Sequence, residues 1–284
     1  MPLTELVHYF NKRNRLAHPE SQDGCLEISD GRVQARFAGR VLGTLFQPVV
    51  DSASGRTIGH EATLAVLNGG PEGVPAQAVF LDCQDDTELV FLDRLCRTLH
   101  ALNFLLEREQ KGAFLSLNVH SRLLQAVQGP HGHVFEAILS RCGLTPDRIV
   151  LEISDDGFGD PLVLARAIAE YRERGYRIAI DNFGRHSADL ERLELLAPDI
   201  VKLDSSLIGH AGHLSLAQRV LMALVTEFRR TGVVAVCQWI ENPLQLQVAR
   251  DAGAGWLQGR LLGAPAFHCL PVADLRRRRE REAA

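Results

Sequence analysis

Polar side chains with compatible chemistry close a series of short apolar runs in this chain: Glu61, Asn118, Glu152, Asp181, Lys202, Gln238 and Gln258. Glu61, Asn118, Glu152 and Asp181 offer hard oxygen donors with no thiolate or imidazole among them. That set suits Mg²⁺ or Mn²⁺ rather than zinc. Lys202 could hold or polarise a water beside such an ion, and the ensemble fits metal-assisted phosphodiester hydrolysis. The bland reading is a set of buried, mutually satisfied polar groups. Several carboxylates buried together without a cation are costly, which favours the functional reading.

These residues need elements that bring them together. The runs are Leu45–Val50, Thr57–His60 (weak), Ala113–Leu117, Arg148–Leu151, Arg177–Ile180, Ile200–Leu203, Val233–Val236 and Gly255–Leu257. Helical stretches such as Leu162–Arg174 and Leu214–Arg230 lie between them. Strand–helix alternation predicts a parallel sheet, and about eight units over this length suit a closed α/β barrel. Active sites of barrels form at the carboxyl ends of the strands, where the polar residues are expected to converge. Before the barrel, Leu3, Leu6, Val7 and Phe10 lie at helical spacing. Cys25–Ser29 and Arg32–Phe37 flank Asp30-Gly31, the signature of a tight type I′ hairpin. We expect an extension over residues 1–40, a barrel over 41–271 and a basic tail over 272–284.

Composition narrows the functional classes. The chain has 284 residues and a formal net charge of −4, which gives no electrostatic case for a nucleic-acid polymer as partner. The six cysteines form no CxxC pair and are expected to be reduced thiols. No apolar stretch is long enough to span a membrane, and residues 1–20 lack the apolar core of a signal peptide. A cytoplasmic location is the corresponding expectation. Trp239 and Trp256, after or within late strands, are expected to pack in the core.

The order of the motifs is more specific. Phe46-Gln-Pro-Val-Val-Asp51 with Gly59-His-Glu-Ala-Thr63, Leu117-Asn-Val119, Leu151-Glu-Ile-Ser-Asp155, Ala179-Ile-Asp-Asn-Phe-Gly184, Pro198-Asp-Ile-Val-Lys-Leu-Asp204 and Gly253–Gly259 follow one another. Together they resemble the EAL-domain family of cyclic di-GMP phosphodiesterases, from about Val41 to Pro271. The resemblance implies a modified TIM barrel with one antiparallel strand, hydrolysis to linear pGpG and a homodimer. It also implies roles: Glu61, Asn118, Glu152 and Asp181 at a first metal site, with Asp181 bridging to a second. Lys202 and Glu241 would act in catalysis, Gln258 on water or substrate, and Gln47 on substrate. Glu241 is placed by aligning Cys237–Glu241 with the family's AEGVE segment. A register two residues earlier puts Val236 at the first glutamate, so neither register supplies an acid there.

The departures from the family decide the expected activity. Asn182 replaces the second aspartate of DDFG, and Gln238 replaces the first glutamate of AEGVE. Thr63 and Ala65 stand where the family has the leucine and arginine of EALxR, and Arg185–Leu190 replaces its TGYSSL loop. Arg185 and Arg260 are read as solvated surface residues rather than substitutes for the missing arginine. Two divalent ions close together need anionic ligands to offset their repulsion, and an amide cancels no charge. One ion is therefore expected to bind and the second to be lost. The expected role is a degenerate nucleotide receptor or a regulator acting through a protein partner. An active phosphodiesterase is the alternative.

Overall fold

A computed structural model describes residues 2–17, 23–70, 73–107, 112–120, 123–124, 133–154, 160–186, 188–211 and 214–269. The tail expected over 272–284, together with Asp155 and Ser187 of the quoted motifs, lies outside these residues. Among the described residues, helix α1 (Leu3–Ala17) precedes the hairpin β1 (Leu26–Ser29) and β2 (Arg32–Phe37). Asp30 and Gly31 have φ of 50° and 73°, as a type I′ turn requires. Helix α1 buries Leu6, Val7 and Phe10, the face its spacing predicted.

The barrel comes next in the chain. It consists of β3 (Arg40–Asp51), β4 (Thr57–Val66), β5 (Phe114–Val119), β6 (Ile149–Ser154), β7 (Arg177–Phe183), β8 (Ile200–Leu203), β9 (Val234–Cys237) and β10 (Trp256–Leu257). From β4 to β10 each strand pairs in parallel with the next. Strand β3 closes the ring by pairing antiparallel with both β4 and β10. The result is an eight-stranded mixed barrel with one reversed strand, as the resemblance implied. The hairpin extends the same sheet, because β2 pairs with the start of β3.

Two further helices are α2 (Asp86–Leu105), which packs on the hairpin, and α3 (Pro243–Asp251), which follows the loop after β9. Asn103 on α2 holds the hairpin: its side chain accepts from the Val33 N–H at 3.0 Å and donates to the Val33 carbonyl at 2.8 Å. It also donates to Thr44 Oγ1 at 3.2 Å, and Thr44 lies 2.8 Å from His100 Nδ1. Burial of His100 pushes its pKa down to about 3, because the charged ring would lose its hydration. No described helix is long and apolar enough to cross a membrane.

Candidate functional site

The barrel interior is built in two layers. Its floor is apolar: Val49, Phe114, Val150, Ala179, Ile200 and Val236, with Trp256 packed against them. Successive side chains on a strand alternate between faces, so the residue two positions onward also faces inward. Two positions on stand Ser116, Glu152, Asp181, Lys202, Gln238 and Gln258, and two back on the reversed strand stands Gln47. The polar ring is thus the second turn of one alternation. Gly59 makes room for the floor: a Cβ there would lie 2.5 Å from the Phe114 ring.

Glu61 joins the ring from within a strand rather than from its end. The run Thr57–His60 continues to Val66 because antiparallel pairing with β3 persists to Leu42↔Val66, whereas parallel pairing with β5 stops at Ala62.

A tight network links the ring. Lys202 Nζ donates to Glu152 Oε2 at 2.6 Å and to Glu61 Oε2 at 2.8 Å. Ser116 Oγ donates to Glu152 Oε1 at 2.5 Å, and Asn118 Nδ2 to Glu61 Oε1 at 3.3 Å. Gln258 Nε2 donates to Glu61 Oε2 at 2.8 Å and to Gln47 Oε1 at 3.3 Å, while Gln47 donates to the Gly263 carbonyl at 3.2 Å. Lys202 and Glu152 are 3% and 2% exposed, so this ion pair sits in a low-dielectric interior.

The charges there are unequal in their comfort. Desolvation first, then Glu61, lifts the Glu152 carboxyl to about 8 against the pull of Lys202. Desolvation also opposes ionisation of Glu61, but Lys202 and the donors around it win and hold its pKa below the usual range. Burial works against the Lys202 ammonium as well, yet Glu152, Glu61 and Asp181 outweigh it and keep it protonated. Once the Glu152 proton is lost, three carboxylates against one ammonium leave two formal negative charges, a balance suited to a divalent cation.

The second half of the ring has a different character. Gln238 Nε2 donates to Asp181 Oδ1 at 2.7 Å. Asn182 Nδ2 donates to Ser154 Oγ at 3.1 Å. Asn182 has φ of 59°, a left-handed geometry that asparagine tolerates better than most residues. It falls where the β7–β8 register shifts between Ile180 and Phe183.

The structure therefore gathers Gln47, Glu61, Asn118, Glu152, Asp181, Lys202, Gln238 and Gln258, with Asn182 on the adjoining turn. It does not bring Glu241 into the network. That residue is exposed, and its backbone N–H donates to Gln245 Oε1 at 2.7 Å, beside the Asn242–Gln245 capping box of α3. Sequence reasoning missed Ser116 and Ser154; their signal was the alternation, two positions before Asn118 and two after Glu152. It also misplaced Trp239, which is 55% exposed rather than packed in the core. Trp256 stacks on Phe114 with ring centroids 5.1 Å apart, as expected of a floor residue. Arg185 and Arg260 are exposed.

The profile of the EAL domain matches residues 31–265. The chain belongs to the EAL-domain family. Its EAL barrel is similar to an uncharacterized EAL-domain protein, YkuI of Bacillus subtilis, at 28% identity over 243 residues, covering 84% of this chain and 58% of that protein. It is similar also to PdeB of Escherichia coli, a probable cyclic di-GMP phosphodiesterase, at 24% identity over 246 residues, covering 83% of this chain and 46% of that protein. The chain thus spans about half the length of these curated relatives. The crystal structure of YkuI in complex with its substrate cyclic di-GMP and calcium superposes with a TM-score of 0.72 at 26% identity, covering 85% of this chain and 60% of that one. A standalone EAL protein of Vibrio cholerae with cyclic di-GMP bound has the same fold, with a TM-score of 0.72 at 20% identity over 82% of this chain and 96% of that one.

Donor type and charge in this EAL barrel fit one hard divalent ion. The side chains are turned onto other partners, Glu61 and Glu152 onto Lys202 and Asp181 onto Gln238. As they stand, no three acidic, histidine or cysteine side chains among the described residues are gathered closely enough to hold an ion.

Proposed function

We propose that this EAL barrel is a cyclic di-GMP receptor with impaired hydrolysis, using its mouth to bind the nucleotide and signalling through a protein partner. The observation that carries the reading is the Gln238–Asp181 contact. An amide N–H occupies the carboxylate that would bridge two ions, and the neighbouring Asn182 adds no charge. Glu61, Asn118, Glu152 and Asp181 would hold one Mg²⁺ or Mn²⁺. Such an ion supplies Lewis-acid polarisation of a phosphoryl oxygen. Lys202, fixed between two glutamates, keeps a cation aimed into the ring. Gln258 and Gln47 form a paired amide edge able to orient a polar ligand or a water.

A second ion would put two further positive charges into a ring already neutralised by the first, with two amides where carboxylates would offset them. If its share of barrier lowering is about 4 kcal/mol, its loss slows turnover roughly 10³-fold. The test is production of linear pGpG with Mg²⁺ or Mn²⁺, run beside calorimetric titration with cyclic di-GMP. We expect binding with little product; turnover near ~1 s⁻¹, in the ordinary enzyme range, would sink the proposal.

The second reading, a working phosphodiesterase, is favoured by the intact network of Glu61, Glu152, Lys202 and Gln258. The double change Asn182→Asp with Gln238→Glu separates the two. A rise of orders of magnitude in turnover supports the charge argument; a wild type that is already fast favours the second reading.

A further inference from the structure

Trp239 directly follows Gln238, whose side chain lies in the second half of the polar ring. Its backbone has φ of 59°, a conformation that a residue with a Cβ adopts only under constraint. The family's AEGVE segment carries glycine at this position, and glycine enters that region freely. The strain is held from both sides. Before Trp239, Cys237 is buried in β9 and its carbonyl accepts from the Gln258 N–H at 2.9 Å. After it, the Ile240 N–H donates to the Gln258 carbonyl at 3.1 Å and the Ile240 carbonyl accepts from the Leu261 N–H at 3.0 Å. Gly259 presses so close that a Cβ there would lie 2.2 Å from Ile240 backbone atoms. The chain is thus fixed by backbone bonds on both sides of the tryptophan, at Cys237 and at Ile240.

Core packing does not explain the side chain, since the indole is 55% exposed. A large aromatic ring held in a strained backbone, open to solvent and one residue from the polar ring, matches the pattern of a ligand clamp. We propose that Trp239 is a stacking platform for a purine base of the nucleotide bound at the barrel mouth. This rests on the cyclic di-GMP reading above. The chemistry is complementary to that of the neighbouring polar ring: polar groups would meet the phosphate and sugar atoms, and the indole a flat π face. Stacking would also add affinity in a chain where Ala65 stands in place of the arginine of the family's EALxR.

The test uses the full chain as wild type, Trp239→Ala, Trp239→Phe and Trp239→Gly, each titrated with cyclic di-GMP by calorimetry and by intrinsic fluorescence. Trp239→Ala is expected to weaken affinity about tenfold, within the range measured for base–aromatic stacking, with Trp239→Phe within about threefold of wild type. Trp239→Gly should lose affinity like the alanine variant while its thermal midpoint stays at or above that of wild type, because glycine relieves the backbone strain. Wild-type emission should be quenched on binding, and the quench should vanish in Trp239→Phe, which retains only Trp256. If wild type binds and the alanine and glycine variants bind equally well, the platform is refuted while the nucleotide reading stands; the exposed indole is then left to a protein partner. If wild type itself binds no cyclic di-GMP, both fall together.

Discussion

Replacing Gln238 by glutamate puts a second carboxylate beside Asp181, and its first effect should be on stability. In the wild type the Gln238 amide donates to Asp181 Oδ1 at 2.7 Å, and Gln238 is largely buried. Glutamate turns that attraction into repulsion between two carboxylates. Even if relaxation opens the oxygens to about 4 Å, Coulomb's law at an effective dielectric of about 20 gives roughly 4 kcal/mol. Partial protonation and water entry reduce this, so Gln238→Glu should lose about 2–4 kcal/mol in the presence of a chelator. A divalent ion placed between the two carboxylates reverses the sign. At a concentration about 100 times its Kd it returns roughly 2.7 kcal/mol. The assay is urea unfolding at pH 8 for wild type, Gln238→Glu and Gln238→Leu, each in chelator and in millimolar Mn²⁺. The leucine variant loses the hydrogen bond without adding charge and should respond to Mn²⁺ no more than wild type does. If chelated Gln238→Glu stays within about 0.5 kcal/mol of wild type, the two side chains do not share a low-dielectric pocket, and the charge argument against a second ion fails.

Other consequences can be checked independently. Lys202→Met leaves Glu61 and Glu152 facing each other without their ammonium and should cost about 3–5 kcal/mol in chemical denaturation; adding Glu152→Gln should recover much of it. Because Glu152 is raised to about 8, ion binding must displace its proton, so calorimetry should give tighter Mn²⁺ binding at pH 8.5 than at pH 6.5, with protons released. His100 is held neutral with a folded pKa of about 3 against an ordinary value near 6.5. The unfolded chain therefore binds more protons in that window, and stability falls as pH drops from about 6.5 towards 3. The loss approaches about 1.4 kcal/mol per pH unit and should be reduced in His100→Phe. Asn103→Ala frees both backbone groups of Val33 and should cost about 1–3 kcal/mol, read from thermal unfolding.

The barrel was legible because short apolar runs alternate with helical stretches and each run gives way to a polar side chain. Every floor residue is apolar and every residue two positions onward is polar, so runs such as Arg177–Ile180 announce both an element and the side chain just beyond it. The same two-residue step carries Ser116, although a serine inside an apolar run has no chemical signal of its own. Glu61 showed its chemistry but not its place, since the length of β4 is set by a reversed neighbour that a weak local run does not reveal. Trp239 was illegible for a different reason. After the apolar run Val233–Val236 a tryptophan reads as core, and its exposure is imposed by Gln258, Gly259 and Leu261, which are distant in sequence. Glu241 was placed by counting along a motif, and counting carries no information about the direction of a side chain.

The amino-terminal helix has an effect beyond covering apolar surface. Strand β1 ends the sheet, and its outer backbone groups would otherwise be a template for a neighbouring chain. Asn11 answers that hazard at Leu26: its carboxamide accepts from the Leu26 N–H and donates to the Leu26 carbonyl, both at 2.7 Å. One side chain thus mimics the next strand for the length of a single residue. Shield and shielded edge are near neighbours in the chain, so little loop entropy opposes their meeting, and the sticky margin can be sealed before the long-range closure of the ring is complete.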